Sequence, residues 1–241
     1  MALLRPDPRK LVALVALAVV VTAALIGASR ARHAHAATGL ERRSELAREI
    51  HVPHASDAIR FDGELTEPSW LASARTGPFL TKEGKQAVPY SDARFVWTNE
   101  SLRVGLYASD IDIVSAKVAA DGPVWDADAF HVVFEKDGVE HELDVAPTCV
   151  LTDGERRVGA STDYRWQSLA KLACDSDGTV DVSGDRDEEW VVEMAVPLQS
   201  LGLRPEGGER INVRIRRCDV DSKHSPKRCA DMGPFALVFD R

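Results

Sequence analysis

The stretch "GPVWDADAFHVVFE" at positions 122–135 gathers several reactive side chains in a short space. Trp125 precedes two acids, Asp126 and Asp128, and an apolar run follows. In an extended backbone residues two apart share a face, so the two carboxylates would lie side by side. Such a pair suits calcium, which takes about six to eight oxygen ligands. It suits hydrolysis less well. A glycosidase needs two carboxyl groups about 5–9 Å apart, one with its pKa raised in a cleft. Nothing else in the chain supplies that constellation, so catalysis is not expected. A second acidic stretch, "DVSGDRDEE" at 181–189, lacks the spacing of a defined calcium loop. At this point 122–135 reads as a sugar platform, a metal site or simply the start of a strand.

The four cysteines, Cys149, Cys174, Cys218 and Cys229, contain no CxxC. Zinc sites usually show two cysteines two to four residues apart, so disulfides are the better reading. Nearest-neighbour pairing, Cys149 with Cys174 and Cys218 with Cys229, closes the shortest loops. Haem is a further possibility, with Met232 and either His131 or His224 as axial ligands. Without CxxCH such a haem would be non-covalent.

Disulfides imply export, and the N-terminus agrees. Residues 11–28, "LVALVALAVVVTAALIGA", are uncharged and follow Arg5, Arg9 and Lys10. A bilayer core of about 30 Å needs roughly 20 helical residues, so this run is long enough to span it. It is longer than a usual signal-peptide core, and the A-x-A at 34–36 stands behind Arg30, Arg32 and His33. We read residues 1–30 as a signal anchor, with a cleaved signal peptide as the alternative. Residues 31–55 read as a polar stalk, although "LERRSELAREI" has a thin helical stripe. Residues 56–241 form the domain. Leaving out residues 1–36, which hold five basic side chains and one acid, takes the net charge from −8 to −12. So acidic a surface repels phosphate backbones, and nucleic acid is not an expected partner.

From Asp57 onward the texture is short strands of period two. "ARFVW" and "LRVGLYA" flank the polar turn "TNES", and "AFHVVFE" and "VEHELDVA" flank "KDG". Both are hairpin signals. Trp190, Val192, Met194 and Val196 share one face of a strand, and Ile211, Val213 and Ile215 share one face of another. Only "EPSWLASA" and "PLQSLG" look like helical turns. The expectation is an all-β, antiparallel, jelly-roll-like sandwich, with Trp70, Trp97 and Trp190 in its core.

Five stretches in order carry a resemblance to a known family. They are "IRFDGELTEPSWLASA", "ARFVWTNESLRVGLYASD", "VWDADAFHVVFE", "HELDVAPTCVLTD" and "DGTVDVSGDRDEEWVVEMAVPLQSLG". Together they resemble the family 9 carbohydrate-binding modules over residues 57–241. The resemblance implies a non-catalytic sandwich that binds a poly- or oligosaccharide, often in proteins that degrade plant polysaccharide. It implies structural calcium in some members. In that family two tryptophans sandwich the sugar. Trp125 matches one, whereas "SPKRCADMGPF" holds no tryptophan where the other belongs. Trp166, with Tyr164 and Arg165 in "TDYRWQS", is expected to replace it, and Asp126 to flank the ligand. A glutamate of the family's pattern is here His131. A domain that kept the fold and lost its sugar is the remaining alternative.

Overall fold

The computed structural model describes residues 48–221 and 226–240. The apolar run at 11–28, most of the stalk and His224 lie outside the described residues. Among the described residues no helix is long and apolar enough to cross a membrane.

Eleven strands among the described residues form two sheets. They are β1 (Glu49–Val52), β2 (Ala74–Arg75), β3 (Ser91–Trp97), β4 (Ser101–Ser109), β5 (Ala129–Lys136) and β6 (Val139–Val145). β7 (Leu151–Arg157), β8 (Lys171–Asp177), β9 (Glu189–Pro197), β10 (Arg210–Asp219) and β11 (Arg228–Phe239) complete the set. The six-stranded sheet runs β1-β11-β10-β5-β6-β7, and the five-stranded sheet runs β2-β3-β4-β9-β8. One short helix, α1 (Pro68–Leu71), and the 3-10 turns Val124–Asp126 and Leu198–Leu201 fall between strands.

The expected period-two pattern sets the inner faces. Leu102, Val104 and Leu106 are fully buried, while Arg103 and Tyr107 look outward and are half-buried. Trp190, Val192, Met194 and Val196 meet Phe130, Val132 and Phe134 from the other sheet in one apolar core. The rings of Phe130 and Trp190 stand 4.9 Å apart. Asp137 and Gly138 both take positive φ, the geometry a two-residue hairpin turn demands.

The "DGELTEPSW" stretch folds around a single carboxylate. Glu193 of β9 accepts the backbone N–H groups of Asp62 (3.0 Å) and Gly63 (2.9 Å) and the indole N–H of Trp70 (2.7 Å). Burial raises the Glu193 pKa against these bonds. A side chain at Gly63 would stand 2.6 Å from the Cys174 backbone, and its φ is +88°, so glycine is needed there.

Two sequence expectations need correction. Residues 49–52, assigned to the stalk, form β1, so the folded unit starts at 48 rather than 56. Ile50 and Val52 enter the core, but four residues among charged neighbours are too few to show a period. β1 also pairs with β11 in parallel, whereas the other named strand pairs among the described residues are antiparallel. Both expected disulfides are present. Cys149–Cys174 ties the loop before β7 to β8 and so joins the two sheets. Cys218–Cys229 links directly opposed residues of β10 and β11.

Candidate functional site

The outer face of the six-stranded sheet carries the polar half of its period-two pattern. Arg216, His131 and Asp144 lie opposite one another across β10, β5 and β6. Arg214, Val133 and Glu142 form the next row. Over the first row lies a hollow of about 300 Å³ whose walls include Trp125 and Tyr164 and whose edge carries Lys227.

Trp125 is placed by the 3-10 turn Val124–Asp126. Val124 is fully buried and pins the turn, which leaves Trp125 39% exposed at the rim. Lys227 donates through Nζ to the Trp125 carbonyl. Tyr164 comes from the loop between β7 and β8. That loop lies flat on β7 because residue 154 is glycine. A Cβ there would stand 2.5 Å from Thr162 Cγ2 and 3.2 Å from the Tyr164 ring. Paired backbone bonds between Glu155 and Asp163 fix the loop, as does Thr162 donating to Glu142 at 3.1 Å. The Trp125 and Tyr164 ring centroids are 6.3 Å apart with planes 34° from parallel.

On the floor, His131 donates through Nδ1 to Asp144. Burial opposes the imidazolium, but the bond and charge of Asp144 outweigh it and raise the His131 pKa. Glu142 accepts from Arg156 at 3.0 Å. Arg156 and Arg214 together bind Glu140 and hold its carboxyl below the ordinary range despite burial. Asp144, Glu142 and Glu140 are thus each matched by a cation, while Glu135 of the same face accepts from the Asn212 amide at 2.6 Å.

The structure brings Trp125 and Tyr164 together but not Trp166. That indole is half-buried against His141, with centroids 4.8 Å apart. Tyrosine therefore stands where a second tryptophan was expected. Arg165 is exposed and clamps Asp163 through Nε and Nη2, both at 2.8 Å, away from the hollow. Asp126 is exposed on the rim turn, outside the lining of the hollow. Sequence reasoning missed Arg216, Asp144, Glu142 and Lys227. The first three were legible as the polar alternates of their strands. The strands' order in the sheet is what sequence could not supply.

Asp126 and Asp128 do not act as a pair. The 3-10 turn breaks the period of two, and Asp128 is fully buried while Asp126 is exposed. Asp128 instead converges with Asp110 and Asp219, their oxygens within 4.8 Å of one another. This trio does not fit a calcium ion, because all six oxygens are committed. Arg217 Nη2 donates to Asp110 Oδ2 at 2.6 Å and to Asp219 Oδ1 at 2.7 Å. Arg228 takes the other Asp219 oxygen and the Asp112 N–H the other Asp110 oxygen. The N–H groups of Val114 and Val220, both at 2.8 Å, take the two oxygens of Asp128. The cation here is Arg217. Burial and the neighbouring Asp110 still push Asp128 up to about 8.

Of the expected haem ligand pairs only Met232 with His131 lies within the described residues, and it fares no better. Met232 belongs to the core, with its sulfur 3.6 Å from Arg48 Nη1. His131 is held by Asp144 on the outer face, and the hollow reaching both carries Arg214, Arg216 and Asp231 among its lining residues, where an apolar haem face would meet charges.

No family model matches the sequence, and no curated protein matches it. Solved structures do match the fold, which is that of family 9 carbohydrate-binding modules. One is described as a "putative carbohydrate-binding protein" from Bacteroides uniformis, 15% identical with a TM-score of 0.59 over 80% of this chain and 99% of that one. A family 9 carbohydrate-binding module from Caldicellulosiruptor kristjanssonii, solved with cellotriose, is 13% identical with a TM-score of 0.56. That match covers 80% of this chain and 94% of the other. The same module with glucose gives 0.55 at 13% identity, over 79% and 96% of the two chains.

Proposed function

We propose that residues 48–240 are a non-catalytic carbohydrate-binding domain whose site is the Trp125–Tyr164 hollow. The observation that carries this reading is two exposed aromatic rings facing each other over a floor of ordered polar groups. Pyranose rings stack their apolar faces on aromatics, and polar side chains then fix the hydroxyls. Stacking on both sides of a sugar needs contacts of about 3.5–4.0 Å each, so aromatic planes about 7–8 Å apart. The 6.3 Å pair must open by about 1–2 Å, or the sugar lies on one ring and against the edge of the other. The acids of the floor, Asp144 and Glu142, each lie beside a cation and are placed to accept from hydroxyls. The bound sugars of the neighbouring structures, cellotriose and glucose, are the natural first probes.

Calorimetric titration of the domain with glucose and cello-oligosaccharides tests this. Trp125→Ala is expected to cost about 1.5–3 kcal/mol of binding, a roughly 10- to 150-fold loss, with an unchanged melt. Parent-like binding by that variant refutes the platform. No binding of any sugar by the parent leaves an interaction domain that has lost its ligand.

The domain is proposed to act outside the cytoplasm, supported by the two disulfides and by the apolar run at 11–28, which is read as an anchor. A link to polysaccharide breakdown follows if the ligand is a plant polysaccharide. N-terminal sequencing of the native protein is expected to find no start near Ala37. A soluble form beginning there would show a cleaved signal instead.

A further inference from the structure

The charge of the groove says more about its ligand than its rings do. The chain is acidic overall, at −8. Yet Asp144, Glu142, Glu140 and Asp231 on this face each have a cation beside them. Asp144 has His131, Glu142 and Glu140 share Arg156, Glu140 also has Arg214, and Asp231 has Arg216. Two cations keep donors to spare. Arg216 meets Asp231 through Nε alone, at 2.7 Å, and its two Nη groups have no partner among the described residues. Lys227 gives one bond to the Trp125 carbonyl and meets no acid among them. Both line the Trp125–Tyr164 hollow. Arg216 and His131 also line an adjoining hollow of about 360 Å³ that extends toward Asp231 and Gly233, so the groove is long enough for more than one ring.

We infer that this groove takes a carboxylated sugar, a uronate within an oligosaccharide, with its carboxylate held by Arg216 and Lys227. The inference rests on the sugar-binding reading above. The physical ground is that a guanidinium offers a planar fork of N–H donors matching the two oxygens of a carboxylate. A neutral sugar would leave those donors to water. Trp125 stacks the ring, and Lys227, fixed to the Trp125 backbone, sets its charge beside that ring.

The test is titration in low salt with trigalacturonate and with its methyl ester, which removes the charge and adds a methyl group at each carboxyl. The acid is expected to bind at least 10-fold more tightly, with the preference shrinking as salt rises. Arg216→Gln and Lys227→Met are each expected to cut the preference, read as the acid-to-ester affinity ratio of the same variant, to about 3-fold or less. Arg216→Lys should retain part of it, since the charge remains and the fork is lost. Equal binding of acid and ester, or a preference that survives both substitutions, overturns this inference and leaves sugar binding standing. Binding of neither, nor of cellotriose, overturns both readings together.

Discussion

Replacing Arg217 with methionine removes the buried cation that the described residues place in the Asp110–Asp128–Asp219 cluster while keeping most of its volume. Arg217 and its two ion-pair partners, Asp110 and Asp219, are at most 4% exposed in their side chains. Stripping one partner from a buried ion pair costs about 3–5 kcal/mol, because the remaining charges stay desolvated and unpaired. In a domain of this size each kcal/mol moves Tm by about 2–4 °C, so a fall of roughly 6–20 °C is expected at pH 8. The penalty should depend on pH in a defined direction. Burial holds Asp110 above its ordinary 3.8 and, with Asp110 beside it, raises Asp128 to about 8. A carboxyl whose pKa is raised by folding contributes stability that is complete below its unfolded value and lost as pH rises through its folded value. Without Arg217 both groups are easier still to protonate, so the folded variant takes up protons at pH 5 and the penalty shrinks. Thermal melts of parent and variant from pH 5 to 8.5 measure this. A loss below about 1 kcal/mol at pH 8, or a penalty equally large at pH 5, refutes the assignment of Arg217 as the cation of the cluster.

Because Arg217 fills that place, millimolar calcium or its removal by a chelator should leave the parent's melt unchanged; a rise of several degrees with calcium would contradict the fit described above. Glu193→Ala strands two backbone N–H groups and the Trp70 indole, so a chemical denaturation curve should show a loss of about 3–5 kcal/mol. Breaking the Cys149–Cys174 bridge, which closes a 25-residue separation, should cost about 3.5 kcal/mol, and Cys218–Cys229, separated by 11, about 3. Equilibrium unfolding of the paired serine variants measures both. Gly154→Ala should displace the Tyr164 loop and weaken sugar binding severalfold in calorimetry with little change in the melt, since the clash falls on Thr162 rather than on the core.

Much of the scaffold was legible from residue order alone, for a local reason. Alternation of apolar and polar residues depends only on the two-residue repeat of a strand, so the inner faces of β4, β9 and β10 could be read directly. Polar turns such as Asp137-Gly138 marked the hairpins, and the shortest cysteine loops marked the disulfides. Trp125 stood out as an aromatic at the start of a strand. The rest depended on which strands become neighbours. His131 and Asp144 share the β5–β6 hairpin, whereas Arg216 is distant in sequence and meets them only because β10 adjoins β5 in register. The choice of Tyr164 over Trp166 turns on the path of one loop across Gly154, where both aromatics fit the sequence equally well. Asp128 belongs with Asp110 and Asp219 rather than with Asp126, because a single 3-10 turn breaks the alternation that would have paired the two neighbours. Periodicity is a property of the chain, whereas adjacency across strands is decided by how the two sheets close on a shared core.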